Sequence, residues 1–496
     1  LDRWWLAGPY DSVGTAIGQV DLPGPLEVGA SASVVVTAPA AAIGLPSAAT
    51  SWGARGLAVE VVDAADPTRL RLGLLRTFTV WFPPQEVTPT TLSVLVPITG
   101  PAPTADEATE RAALTAPGGR LDQVLQATSS HAGVTWAVDP ALLTSAESDR
   151  TGSGAGWAAE LLRSTTGREV QLLPWGDADL SALAHTGDTT VTQLAEARSA
   201  QAAEDLGLST DDVFAVPGAP VTDLTTAMAA SAGGARSVVV SPGELLAPTV
   251  LTYTPSGVTT TTSGTTDLTL LVPDEALTRD LTTGTFAQDP SPDDTAQRTG
   301  ASAAADLLAE LAIITRERPS DGRHVLASLP RDWAPDAVIA SAQLAALTAA
   351  PWVRLAPVSE LAASTPPSVD RGTLPVRVVD EAEVSAAELV TVRRTVEERL
   401  AIAAMGADPA ALVGDADAER LRPAALAWRE DTAGRTTSIA SSVATTAQLR
   451  AAVSVPPTGT VNLISTSGDL PLRVDNALDQ AVTLMVRLRP TDSRLV

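Results

Sequence analysis

Cysteine and lysine are both absent from these 496 residues, and each absence closes off chemistry. Without cysteine there is no disulfide, no thiolate metal ligand and no thiol nucleophile. Without lysine there is no Schiff-base chemistry, pyridoxal phosphate attachment included, and no Gly-Lys-Ser/Thr phosphate loop. Histidine is scarce, with only His131, His185 and His324, and no two of them stand at a helical ligand spacing. No metal site and no cofactor is therefore expected. No Gly-x-Gly-x-x-Gly opens a helix after a strand, and no Gly-x-Ser-x-Gly stands at a strand end, which argues against a dinucleotide fold and an α/β-hydrolase elbow.

All 33 basic residues are arginine, set against 58 acids for a formal charge of −25. Such a surface repels polyanions, so neither nucleic acid nor an anionic membrane face is an expected partner. No run reaches the eighteen or so apolar residues that span a bilayer. The chain opens on Leu1-Asp2-Arg3-Trp4-Trp5 without an initiator Met or a signal-peptide pattern. It is expected to be the middle of a longer protein, with any export signal or membrane anchor outside it.

What is present is a repeated punctuation. Eight times an apolar run stops at a proline, at Pro97, Pro140, Pro174, Pro217, Pro242, Pro273, Pro330 and Pro357. Proline lacks the N–H that a sheet ladder needs, so it marks places where strands end. Most of these stops lead into a helical pattern, clearest at Leu307, Leu308, Leu311 and Ile314 and again at Val338, Ile339, Ala342 and Ala346. Strand, stop, helix and strand again is the pattern of a parallel β/α fold. The expected fold is multidomain, α/β plus β, with a central parallel (β/α)7–8 barrel over residues 85–365. Its strands are read at 92–96, 134–138, 170–173, 213–216, 237–240, 268–272, 324–329 and 352–356. The Thr/Ser/Gly-rich stretch 259–266 reads as a hairpin or surface loop, and 289–294 as a loop before a helix.

Residues 1–84 read as an immunoglobulin-like β-sandwich, from β-branched or aromatic runs at 32–36, 57–62 and 77–81. Pro83, Pro84 and Pro89 form a stiff linker. Residues 366–455 read as a helical segment that can pack on the barrel, with helices around 389–400, 409–429 and 437–453. Runs at 461–464, 470–474 and 482–488 read as the start of a C-terminal β-sandwich over 456–496.

In a β/α barrel, chemistry sits on the loops after the strands. The polar residues there are Asp139, Trp175, Asp177, Asp179, His185, Glu244, Asp274, Glu275, Arg331 and Asp332. Helix capping accounts for several: Asp139 before Pro140, Asp179 before 180–185, Asp274 before Glu275, and Ser241 with Glu244 as a capping box. Asp177 is the acid that capping leaves over. Asp177, Glu275 and Asp139 are the candidate catalytic carboxylates, since a pair about 5–10 Å apart is the usual glycosidase arrangement. Trp175 and Trp136 are candidate sugar platforms, with Asp179, His185, Glu244 and Arg331 as further ligand-binding candidates. His185 also has the simpler reading of a solvent-facing helix residue.

The stretches Val-Thr-Trp-Ala-Val-Asp-Pro-Ala-Leu-Leu (134–143), Leu-Leu-Pro-Trp-Gly-Asp-Ala-Asp-Leu-Ser-Ala-Leu-Ala-His (172–185) and Gly-Asp-Leu-Pro-Leu-Arg-Val-Asp-Asn (468–476) resemble an actinobacterial family of large, exported, uncharacterised envelope proteins. The resemblance implies a signal peptide, β-sandwich domains around a central β/α domain, one C-terminal membrane helix, and a gene often beside that of the lipid II flippase. The central domain is also distantly similar to polysaccharide deacetylase and glycosidase barrels. Those deacetylases carry paired aspartates after the first strand and a His-x-x-x-His pair. Here the first strand ends Val96-Pro97-Ile98-Thr99, and no such histidine pair exists. The expected function is that of an extracytoplasmic envelope protein, membrane-anchored in its full length, with a non-catalytic barrel that binds cell-wall glycan or an envelope protein. An active glycoside hydrolase is the alternative, and a structural spacer the third reading.

Overall fold

The structure, a computed structural model, describes residues 14–22, 24–38, 43–45, 51–65, 71–149, 152–208, 214–263, 266–283, 299–457 and 471–487. At its centre is β3 (Thr90–Ile98), buried along its whole length, as a strand covered on both faces must be. Its side chains alternate: Leu92, Val94, Val96 and Ile98 pack outward against helices, whereas Leu95 faces inward. Its backbone alternates too. Odd residues bond β10 (His324–Ser328), which pairs parallel from Thr91 to Leu95. Even residues bond the other edge, shared by β11 (Val353–Leu355) at the foot and β4 (Val134–Val138) higher up. The amides and carbonyls that mark this shared edge are Thr90 N to Trp352 O and Asp139 N to Ile98 O, both 3.0 Å. Pro97 lies within β3, where its missing N–H faces the β10 edge beyond the last pair, Ser328 with Leu95. That is why the strand runs past this proline.

The parallel sheet continues from β4 to β5 (Val170–Leu172). A second sheet holds β6 (Phe214–Ala215), β7 (Ser237–Val239) and β9 (Thr266–Leu271), all parallel, with β8 (Val258–Ser263) antiparallel to β9. The stretch 259–266 is thus one arm of a hairpin whose other arm is the sixth expected strand; residues 264–265 lie outside the described residues. The two sheets meet at β10, where Gly257 N bonds His324 O at 2.8 Å and Asp274 N bonds Leu326 O at 2.7 Å. Inward residues of both sheets, among them Leu95, Ala137, Leu173, Phe214, Val239 and Leu326, form one buried cluster, with Val358 and Leu361 in the same cluster from the helix Val358–Ala362 after β11. The chain is therefore mixed α/β around a parallel-sheet core. An outer cluster packs the helices Arg120–Thr128, Gly300–Glu317 and Ala337–Ala349 on the sheet, and each such buried Leu or Ile contributes about 1.5–3 kcal/mol.

The flanks differ from the expectation. A sandwich over residues 1–84 needs two packed sheets. Among the described residues there is one antiparallel hairpin, β1 (Gly53–Val62) with β2 (Arg71–Trp81), and 32–36 forms no ladder. A lone hairpin is marginal by itself. This one borrows a core from the α/β unit, through Trp52, Phe82 and Trp352 with ring centroids 5.1–5.8 Å apart. The helical end holds Ala386–Ala403, Pro409–Val413, Ala416–Leu421 and Thr432–Ala452. The single helix expected over 409–429 is broken at Gly414, which takes φ 67, and tightens into two 3-10 turns before Glu430. Beyond it, the described residues show only β12 (Val453–Ser454) paired with β13 (Asp475–Asn476) and a bridge from Gly406 to Val482. The expected loop at 289–294 and strand at 461–464 lie outside the described residues, as does residue 470 of the next.

Candidate functional site

The carboxyl ends of the strands open on a cleft of about 1040 Å³. Thr99 follows β3, Asp139 β4, Asp177 β5, Gly218 β6, Ser241 β7, Glu275 β9 and Arg331 β10, and all of them line it. One wall comes from elsewhere in the chain: Asp380, Ala382, 425–427 and 429–431 of the helical end. That end is tied to the turn after β5, where Leu426 N bonds Asp177 O at 2.9 Å and Asp179 N bonds Ala424 O at 2.7 Å.

Asp139 sits at the floor, 4% exposed. It is the cap of the helix Pro140–Glu147, and its Oδ1 accepts the Ala141 and Gly176 amides, both at 2.9 Å. Burial pushes its carboxyl up to about 7, and the neighbouring charge of Asp177 pushes the same way; the amides of Ala141, Gly176 and Leu142 pull it back. Such a group is half protonated at neutral pH.

Asp177 is held differently. Gly176 and Asp177 take φ 68 and 46 in succession, a left-handed turn that glycine adopts freely and aspartate tolerates better than most residues. The turn aims the carboxylate at Arg331, whose Nε donates to Oδ2 at 2.6 Å and Nη2 to Oδ1 at 2.8 Å, with Nη2 also on Val216 O at 2.9 Å. This two-pronged pair clamps the ends of β5, β6 and β10 together. Gly218, φ 72, lies directly against it: a Cβ there would stand 1.8 Å from Arg331 Nη1.

Asp179 caps the helix Leu180–Thr186 through Ala182 N at 3.0 Å. It also receives Arg429 in a two-pronged pair at 2.6 and 3.1 Å. Arg429 reaches Asp380 and Glu383 as well, at 3.1 and 3.2 Å. His185 is buried with one ring nitrogen on each of two acids, Nδ1 to Glu383 Oε2 at 2.8 Å and Nε2 to Asp223 Oδ2 at 2.7 Å. It is neither solvent-facing nor in the cleft. With Arg429 it fastens the helical end to the α/β unit.

The other candidates spread out. Glu244 is off the cleft; its Oε2 accepts the Thr222 and Ser241 amides at 3.0 and 3.2 Å, half of the expected capping box with no helix after it, and burial raises its carboxyl. Glu275 is exposed at the rim, and Asp274 caps its helix through Leu277 N at 2.9 Å. Neither tryptophan is a platform. Trp136 is fully buried behind the sheet, donating to Thr128 Oγ1 at 3.1 Å with the Arg168 guanidinium 3.8 Å over its ring. Trp175 packs on the helix Thr189–Leu206, with Arg198 4.5 Å over its ring. No aromatic side chain lines the cleft among the described residues. Nor do these residues contain a group of three or more His, Asp or Glu able to hold a metal ion.

Reasoning from sequence missed Arg120, Arg429 and the wall from the helical end. Arg120 bonds Arg331 O and Thr99 O at 2.9 and 2.7 Å. No local pattern distinguishes these residues from an ordinary helix surface.

The chain matches, over residues 2–496, the model described as "Family of unknown function (DUF6049)", and belongs to that family. No curated protein matches it. Among solved structures it is similar to a crystal structure described as a polysaccharide deacetylase from Mycobacterium smegmatis, at 16% identity over 61% of this chain and 96% of that one, TM-score 0.38. It is similar to the α-amylase AmyC from Thermotoga maritima at 9% identity, over 73% and 94% of the two chains, TM-score 0.47. It also resembles the 4-α-glucanotransferase from Thermococcus litoralis, at 13% identity over 63% of this chain, TM-score 0.42; there it spans 45% of the other chain, less than half its length.

Proposed function

We propose that the chain is an extracytoplasmic envelope protein, anchored to the membrane outside these 496 residues, whose β/α barrel holds an envelope glycan or protein at its mouth without cleaving it. The observation that carries the reading is the Asp177–Arg331 clamp. A glycosidase needs two carboxylates free to meet the sugar, one as proton donor and one as base or nucleophile. Here Asp177 is neutralised from both oxygens, and Asp179 likewise. The open cleft favours binding over a plain spacer, since a spacer has no use for one of about 1040 Å³. Location and anchor rest on the family resemblance of 134–143, 172–185 and 468–476. No helix among the described residues is long and apolar enough to cross a membrane.

Asp139 supports a second reading. A buried carboxyl held up to about 7 is the protonation state of a general acid, and Glu275 at the rim would be the second carboxylate of a glycoside hydrolase. Incubating the purified chain with peptidoglycan and with envelope polysaccharide separates the two. Co-sedimentation without new reducing ends supports the binder. New reducing ends that vanish in D139N and E275Q support the hydrolase and end the first reading.

A further inference from the structure

Several buried hydroxyls on the cleft floor have bonding capacity to spare. Leu95, Ala137 and Leu326 point into the barrel, and strand alternation brings Thr99, Asp139 and Ser328 to the same side at the carboxyl ends. All three line the cleft, at 5%, 4% and 8% exposed. Ser328 Oγ makes no hydrogen bond among the described residues and is not sealed off from the cleft. The Ser328 amide donates to Thr278 Oγ1 at 3.2 Å. Thr278 also lines the cleft, 8% exposed, and its own O–H has no acceptor among the described residues. Thr99 Oγ1 reaches the Arg331 carbonyl only at 3.5 Å, the limit of a hydrogen bond. It stands next to Asp139, whose amide bonds Ile98 O at 3.0 Å. A buried polar side chain left without a partner costs stability unless water or a ligand satisfies it.

Charge on this floor is already cancelled. Asp177 and Arg331 neutralise each other. Burial pushes the Asp139 carboxyl up to about 7, and with Oδ1 on two amides its proton sits on Oδ2. At the rim, exposed Glu275, Asp332 and Glu430 outnumber exposed Arg279, a field that disfavours anions. Resting on the binding reading above, we propose that the cleft floor is a subsite for an uncharged sugar segment, whose hydroxyls meet Ser328, Thr278 and Thr99 beside Asp139. A hydroxyl is donor and acceptor at once, so it can accept from Thr278 and give or take at Ser328 and Thr99. A cation would leave water for a floor whose ion pair is already complete. The sugar is gripped by its edge: no aromatic side chain lines the cleft among the described residues, and Pro97, Val239 and Leu329 offer apolar surface to ring carbons.

The test titrates the purified chain at neutral pH, by calorimetry, with the uncharged hexasaccharides mannohexaose, maltohexaose and chitohexaose and with anionic hexagalacturonate. Expected is saturable one-to-one binding of at least one uncharged hexasaccharide and none of hexagalacturonate. S328A and T99V are each expected to weaken that binding about fivefold, for one hydrogen bond lost. T99V keeps the shape of threonine, and near-UV circular dichroism reports whether each variant is folded. T436V, which removes an exposed hydroxyl from the helix Thr432–Ala452 outside the cleft, is expected to bind as the parent does. The proposal is overturned if no uncharged hexasaccharide binds, if either folded cleft variant binds as the parent does, or if hexagalacturonate binds as tightly. Each of these results leaves the binding reading standing wherever the chain still co-sediments with envelope material. Release of shorter sugars from a bound hexasaccharide removes the binding reading itself.

Discussion

Replacing Asp139 by asparagine isolates the electrostatic cost of placing a carboxyl on the cleft floor beside Asp177. The carboxyl rises from 3.8 in the unfolded chain to about 7 in the fold. At about 1.36 kcal/mol per tenfold change in proton affinity, that is about 4 kcal/mol between the two states. The sign follows from proton counts. Between pH 4 and 7 the folded chain keeps this proton and the unfolded chain has lost it, so this group's stabilisation is complete below pH 4 and declines as pH rises to 7. Above pH 7 the full penalty stands. Asparagine carries no such penalty, and its side-chain oxygen still caps the helix at Pro140. D139N is therefore expected to lie about 1 kcal/mol below the parent near pH 4, for the weaker bonds to Ala141 and Gly176, and to exceed it above pH 7 by ~2–4 kcal/mol. Urea unfolding at pH 5 and pH 8, followed by the fluorescence of buried tryptophans such as Trp136 and Trp428, gives the comparison. All other carboxyls cancel in the difference between the two proteins. A difference that stays within about 0.5 kcal/mol and does not change with pH would refute a buried Asp139 beside a charged Asp177.

Other substitutions test the clamps. Arg331→Met leaves the Asp177 carboxylate 10% exposed and unpaired and is expected to cost ~2–4 kcal/mol in thermal or urea unfolding; Arg331→Lys should recover only part, since an ammonium cannot make the fork. Gly218→Ala puts a methyl on the Arg331 guanidinium at a left-handed position, and a loss of ~1–3 kcal/mol is expected by the same assay. Glu383→Ala removes the partner shared by His185 and Arg429. It should speed limited proteolysis of the residue 363–385 connection several-fold, while the α/β core keeps its protection in hydrogen exchange.

The parallel core was legible because its strands other than β3 are short, apolar and followed closely by proline, a pattern that depends only on neighbours in sequence; β3 carries its proline, Pro97, inside the strand. β11 could be found but not placed: pairing with the foot of β3 on the edge shared with β4 depends on backbone parity over long separations. Asp177 stood out once capping had accounted for its neighbours, yet its partner Arg331 is 154 residues away and nothing local announces it. Trp136 misled because a strand buried on both faces carries no polarity signal to say which side chains point to the mouth. His185, on a short amphipathic helix, gives the same local pattern whether it meets solvent or Asp223 and Glu383. The N-terminal runs have strand-like composition throughout, but composition does not say whether a second sheet exists to pack against them.

On the proposed reading, the cleft acids hold the fold and meet a ligand without performing hydrolysis. The most direct measurement is a reducing-end assay on purified chain with envelope polysaccharide and peptidoglycan, run beside co-sedimentation on the same samples. Retention of the chain on its ligand with no product above a heat-inactivated control is predicted. Product that accumulates with time, and is lost when Asp139 or Glu275 becomes the amide, would contradict it.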